Sequence, residues 1–265
     1  MLLWLLYPVL GSIAGVIAGL LGVGGGIVVV PILFFLFTSQ GAPPEHIMQM
    51  ALGTSLGSIM FTSISSFRAH HRRGAVHWDI VRRITPGILV GTFAGTWVAA
   101  LLSTNFLKGF FALFLYYVST QMLLNFKPKP TRQLPGRAGM FGVGNVIGVV
   151  SSLVGIGGGS LSVPFMSWCN IPVHHAIGTS AAIGFPIAVA GTLGYIVNGL
   201  HVAGLPELNL GYLNIPALFG IALFSMLTAP LGARLAHRLP VTALKRFFAV
   251  FLILTATRMV WGLFG

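Results

Sequence analysis

Two long stretches without a single Asp, Glu, Lys or Arg constrain this chain more than any motif in it. One runs from Met1 to Pro44 and the other from Ala138 to Pro206, 44 and 69 residues long. A helix crosses the hydrocarbon core of a bilayer with about 20 apolar residues, so each stretch is long enough for more than one crossing. Charged residues make up 7% of the chain and hydrophobic residues 55%, whereas a soluble domain carries about 25% charged residues. Such a surface could not be kept in water. A soluble enzyme, a DNA-binding protein and a secreted disulfide scaffold are excluded. The fold class is an all-α polytopic membrane protein.

The net charge of +12 comes from 15 Lys and Arg against 3 Asp and Glu. In a soluble chain that balance would suggest nucleic acid. Here most of the bases fall in three short loops, at 68–83, 127–137 and 234–246, where the positive-inside rule accounts for them. Nucleic acid is therefore not an expected partner. A single cysteine, Cys169, excludes an internal disulfide and a thiolate metal cluster. The apolar start, Met1 to Leu6, looks like a signal peptide without its basic region and is read as retained. No soluble domain is expected at either end.

The chain repeats itself. Gly22-Val-Gly-Gly-Gly-Ile-Val-Val-Val-Pro31 recurs as Gly155-Ile-Gly-Gly-Gly-Ser-Leu-Ser-Val-Pro164, an offset of 133. Ala51-Leu-Gly-Thr-Ser55 recurs as Ala176-Ile-Gly-Thr-Ser180, and Lys108-Gly-Phe-Phe-Ala112 as Lys245-Arg-Phe-Phe-Ala249. The order is kept, which divides the chain into a first membrane repeat (1–126), a basic, Pro-rich cytoplasmic linker (127–137) and a second membrane repeat (138–265). Each half offers four apolar segments: 2–37, 46–67, 84–102 and 108–126, then 138–170, 174–198, 212–234 and 242–264. The first of each four is too long for one crossing and carries Gly-Gly-Gly. Glycine is about 1 kcal/mol worse than Ala in a helix, so three together predict a break. The broken segment is then either a kinked span or a re-entrant hairpin.

Counting Lys and Arg separates these two. If every segment crosses once, the halves run parallel and the bases divide 10 to 5 between the two sides. If each broken segment enters and returns, the halves are inverted and the division becomes 13 to 2. The second satisfies the positive-inside rule better. It implies three full spans and one re-entrant hairpin per half, with both termini outside.

Two copies of Gly-x-Gly-Gly-Gly followed by Pro, each trailed by Ala-[Leu/Ile]-Gly-Thr-Ser, resemble the sulfite exporter TauE/SafE family of membrane permeases. The likeness runs from Ala14 to the last helix. It implies a multi-pass transporter of the prokaryotic cytoplasmic (inner) membrane. The implied cargo is a small sulfur-containing anion such as sulfite, a sulfonate or sulfoacetate, and no cofactor is implied.

The residues suggest where such an anion would bind. Unwound backbone in a bilayer is tolerated where it is buried in protein or lines a cavity. A helix N-terminus has unpaired N–H groups and partial positive charge, which suit an anion. Gly24, Gly25 and Gly26 precede a helical run expected to start near Ile27; Gly157, Gly158 and Gly159 precede one at Ser160. Broken helices at matching places in two halves point to a transporter's substrate site. From the expected helix starts, Ser55 and Ser180 lie about 13 and 9 Å deep in a core about 30 Å thick. Thr54, Ser55, Thr179 and Ser180 would then offer hydroxyl donors at the same level. These serines and threonines have an equally simple use in bonds between helices or to their own carbonyls. The stripes Gly11-x3-Gly15-x3-Gly19 and Gly87-x3-Gly91-x3-Gly95 read as close helix contacts, inside one chain or in a homodimer.

Other classes fare poorly. The eight histidines sit at loops or span ends, and His70-His71 and His174-His175 lack metal-hydrolase spacing, so no metal site is expected. No catalytic residue is expected either: Ser160 and Ser162 have no mid-membrane His, which leaves little for an intramembrane enzyme. Glu45, Asp79 and Glu207 are the only acids, all near span margins, so no buried carboxylate is available for a proton relay. An anion channel remains the alternative to a transporter.

Overall fold

The computed structural model describes residues 2–21, 25–124, 131–236 and 241–264. Among them are ten helices and one two-stranded hairpin. The first half contributes α1 (Leu2–Leu21), α2 (Gly26–Ser39), α3 (Ile47–Arg72), α4 (Trp78–Leu101) and α5 (Thr104–Leu123). The second contributes α6 (Arg137–Val154), α7 (Gly159–Trp168), α8 (Val173–Gly199), α9 (Ile215–Ala236) and α10 (Val241–Phe264). Between α8 and α9, β1 (Asn209–Leu210) pairs antiparallel with β2 (Leu213–Asn214). Among the described residues six helices are long and apolar enough to cross a membrane: α3, α4, α5, α6, α8 and the stretch Arg246–Leu263 of α10. The chain is a multi-pass integral membrane protein.

The first segment of each half is split in two at its glycines. The expected starts of the second pieces, Ile27 and Ser160, fall one residue inside the observed ones. Gly25 (φ 76°) and Gly158 (φ 73°) are the residues just before α2 and α7, and Gly155 (φ 67°) closes α6. An L-residue in that left-handed conformation costs about 1–2 kcal/mol, which is why glycine stands at each. The basic loop expected at 68–83 shortens to 73–77, because α3 and α4 continue past their apolar stretches. Arg68, Arg72, Arg82 and Arg83 ride exposed on those helix ends, and cations in the last turn of α3 complement its dipole.

α3 and α8 form the centre. Their apolar windows are 78% and 61% buried, against 28–44% in the other four long helices. Leu56 packs on Gly191 and Gly53 on Tyr195, while Phe67 lies against Phe185 with ring centroids 6.0 Å apart. Numbers rise on one helix as they fall on the other, so α3 and α8 run antiparallel. α5 and α10 do the same: Lys108 Nζ donates to the Gly262 carbonyl at 2.6 Å, and Tyr116 meets Thr257 at 2.9 Å. The buried ammonium of Lys108 thus closes the C-terminal end of α10, where carbonyls lack helical partners.

The remaining contacts are reciprocal. α1 packs on α9 as α6 packs on α4, α3 on α9 as α8 on α4, and α2 on α3 as α7 on α8. The glycine stripes make these contacts close. A Cβ on Gly11 would lie 2.9 Å from the Ile221 backbone, and one on Gly144 would lie 3.0 Å from the Ile84 side chain. Gly87, Gly91 and Gly95 seat α4 against the α6 backbone at Phe141, Asn145 and Val149. The described glycines of both stripes are used inside the chain.

Candidate functional site

The two breaks lie against each other across the centre. A Cβ on Gly26 would be 2.6 Å from the Gly155 carbonyl oxygen and 2.8 Å from Ile59 Cδ1. One on Gly157 would be 3.3 Å from Ile59 Cγ2. Ile59 of α3 therefore touches both. A side chain has no room at Gly26, and at Gly157 it would press on Ile59.

Each break opens a helix whose first-turn N–H groups lack a helical acceptor. In α2 the first bonds are from Val28 and Val29 to the Gly25 carbonyl, 3.0 and 3.1 Å. In α7 they are from Leu161 and Ser162 to the Gly158 carbonyl, 3.1 and 2.8 Å. Neither helix has a side-chain cap. The N–H groups of Gly26 and Ile27, and of Gly159 and Ser160, come before those first bonds.

The hydroxyls of the Gly-Thr-Ser motifs are engaged. Ser55 Oγ, fully buried, donates to the Gly155 carbonyl at 2.8 Å and so ties α3 to the break in the other half. Thr54 Oγ1 accepts the Asn214 N–H at 3.0 Å, and Thr179 Oγ1 accepts the His77 N–H at 2.9 Å. Each threonine thus satisfies an orphan N–H at the start of α9 or α4, in the opposite half. As acceptors in these bonds, both keep their own proton. Ser180 meets Ser162 at 2.8 Å, and Ser162 also reaches the Gly158 carbonyl at 2.9 Å. Ser162 is the donor toward both and has one proton, so it serves Ser180 or the Gly158 carbonyl at any moment.

Among the described residues four buried hydroxyls have no partner: those of Thr92 in α4 and Thr192 in α8, and two at the second break. Ser160 Oγ, in the first turn of α7, and Ser151 Oγ, in the last turn of α6, make no hydrogen bond. Ser151 Oγ sits 3.4 Å from where a Cβ of Gly158 would be. An unsatisfied buried hydroxyl costs about 1–3 kcal/mol, so the second break holds two donors in reserve beside free N–H groups.

The comparisons with known proteins fall on this architecture. Residues 7–259 match the family model described as Sulfite exporter TauE/SafE. The chain belongs to the sulfite exporter TauE/SafE family. It is 38% identical over 257 residues to a "Probable membrane transporter protein" of Haemophilus influenzae, covering 96% of this chain and 97% of the relative. It is 30% identical over 279 residues to "Probable membrane transporter protein YunE" of Bacillus subtilis, with 97% of each chain covered. No solved structure gives a significant match. The names of the family and of these relatives agree on membrane transport.

Of the site residues expected in this TauE/SafE chain, Gly24 lies outside the described residues. Gly25, Gly26 and Ile27 stand at the first break; Ser55, through its bond to Gly155, stands with Gly157, Gly158, Gly159, Ser160 and Ser180 at the second. Thr54 and Thr179 lie at the starts of α9 and α4 instead, away from either helix opening. Sequence reading passed over Ser151 and weighed Ser162 only as a nucleophile. A signal was present: they replace Ala18 and Val29 in the repeat alignment, and a hydroxyl appearing in one copy alone invites a reason. Among the described residues no group of His, Cys, Asp or Glu could hold a metal.

Proposed function

We propose that this chain is a secondary transporter of small sulfur-containing anions such as sulfite, sulfonates or sulfoacetate, working by alternating access between two inverted halves. The observation that carries it is the second break: the uncapped start of α7, left-handed Gly158, and the unpartnered hydroxyls of Ser160 and Ser151 beside it. Donors held in place without partners suit an oxyanion, whose several lone pairs complete them. No Asp or Glu stands there to repel it. Gly24, Gly25, Gly26, Ile27, Thr54, Ser55, Gly157, Gly159, Thr179 and Ser180 belong to the same proposed site, as lining or as the bonds that hold the lining.

Inversion draws support from the antiparallel runs of α3 against α8 and α5 against α10, each a helix facing its own counterpart, and from the 13 to 2 division of basic residues. It places the linker and basic loops in the cytoplasm of a prokaryotic cell and both termini outside. With no acid in the core, any proton coupling runs through the cargo's own protonation or through surface groups. The test is flux into liposomes holding the purified protein, run with sulfite, thiosulfate, sulfate, sulfoacetate, taurine and chloride. Saturable uptake of one sulfur anion supports the reading. Equal flux of chloride and all the oxyanions would replace the transporter with an anion channel, and no flux of any sulfur anion would remove the cargo assignment.

A further inference from the structure

We infer that the seam between α4 and α8 holds one anionic phospholipid, its acyl chain in an apolar groove and its phosphate on the arginines at the groove's mouth. The groove encloses about 340 Å³ between α3, α4 and α8, walled by Phe67, Trp78, Val81, Leu89, Phe185 and Val189 among others. Its two polar wall groups are already used. Thr85 Oγ1 donates to its own Val81 carbonyl at 2.6 Å, and Trp78 Nε1 donates to His71 Nδ1 at 3.1 Å. A polar guest would find nothing to bond, so the occupant is hydrocarbon.

Length and charge select which hydrocarbon. From Trp78 to Leu89 the groove follows α4 for eleven residues, about 16 Å at 1.5 Å per residue. That is half of a core about 30 Å thick, the depth one acyl chain fills. Trp78, packed edge-on to Phe67 with centroids 6.2 Å apart, stands at the mouth as interfacial tryptophans do. Arg82 continues the same face, since 78, 81, 82, 85 and 89 follow helical spacing. Arg68, Arg72, Arg73 and Arg83 share that end, all exposed, and Asp79 is the only acid between Glu45 and Glu207. Five guanidinium groups against one carboxylate above an apolar slot fit a phosphate headgroup on a lipid tail. Because α4 and α8 come from different halves, the lipid bridges them.

The experiment titrates detergent-purified full-length protein with phosphatidylglycerol or phosphatidylcholine of identical chains, and separately with inorganic phosphate. Melting temperature and lipid retained in native mass spectrometry are read together. Phosphatidylglycerol binds about fivefold tighter than phosphatidylcholine for each arginine engaged. R82Q/R83Q lowers that preference about fivefold for each of the two that is engaged, and Leu89→Trp, on an exposed position of the wall, weakens both lipids; Val189→Phe fills the same slot from α8. Equal binding of the two lipids, a preference undiminished by R82Q/R83Q, binding untouched by both groove-filling variants, or full stabilisation by phosphate alone would each overturn the inference.

Discussion

The two glycine breaks start their second helices alike and differ in side chains. Gly25 and Gly158 have nearly the same left-handed φ and precede helices that open without a side-chain cap. Beyond that point the first copy reads Ile27-Val28-Val29 and the second Ser160-Leu161-Ser162. Ile27, Val28 and Val29 are all buried in the apolar core. Ser160 is equally buried and unpartnered, and Ser162 connects α7 to Ser180 of α8. Both helices start from the same left-handed glycine; the side chains make the first start apolar and the second polar. Repeat symmetry therefore describes the skeleton of the site and not its chemistry.

That contrast can be broken most severely at Gly158. Gly158→Val must hold a β-branched residue at φ 73° with its Cβ 2.5 Å from Ile187 Cδ1. Liposome flux is expected to vanish while the protein still reaches the membrane; normal flux in this variant would move the site elsewhere. Ser160→Ala and Ile27→Ala then separate the copies. Losing the Ser160 hydroxyl should lower flux at subsaturating substrate about tenfold, the value of a hydrogen bond to a charged group. Without substrate its melting temperature should hold or rise, because an unsatisfied donor has gone. Ile27→Ala should act oppositely, costing about 2–5 kcal/mol of stability with flux per folded molecule nearly kept. Matching effects of the two on flux would end the distinction between the copies.

Smaller effects test the bonds between halves. Ser55→Ala leaves the buried Gly155 carbonyl without its donor and should cost about 1 kcal/mol, read as a lowered melting temperature. Thr54→Val and Thr179→Val each strand one N–H and should cost about 0.6 kcal/mol. The bond to Asn214 is fully buried and that to His77 partly so, so Thr54→Val is the larger of the pair. Amide exchange at Asn214 and His77 reports each loss separately, and faster exchange at neither would show that the threonines do not hold these helix starts.

The placement of the Gly-Thr-Ser motifs shows what was legible. Depth counting put Ser55 and Ser180 near the glycine breaks, and they are there. The same counting put Thr54 and Thr179 with them, although adjacent residues on a helix point about 100° apart. Each threonine faces instead the loop end of the other half. Loop lengths were misread for a related reason: the apolar stretches of α3 and α4 end before their helices do, since a helix carrying Arg68, Arg72, Arg82 and Arg83 persists beyond its apolar part.

The sequence by itself determined the class of solvent and the units that live in it. Charge-free stretches of 44 and 69 residues belong in a bilayer, where backbone groups must bond within their own segment, so helices follow. Three consecutive glycines fix where the second helix of each half starts, because that is a local property. Only the tertiary structure decided who meets whom. Ser55 reaches Gly155 across 100 residues, Thr54 reaches Asn214 across 160, and Ser160 and Ser151 are left without partners. Such outcomes depend on how ten helices share one core, and no local pattern of apolar and polar residues encodes them.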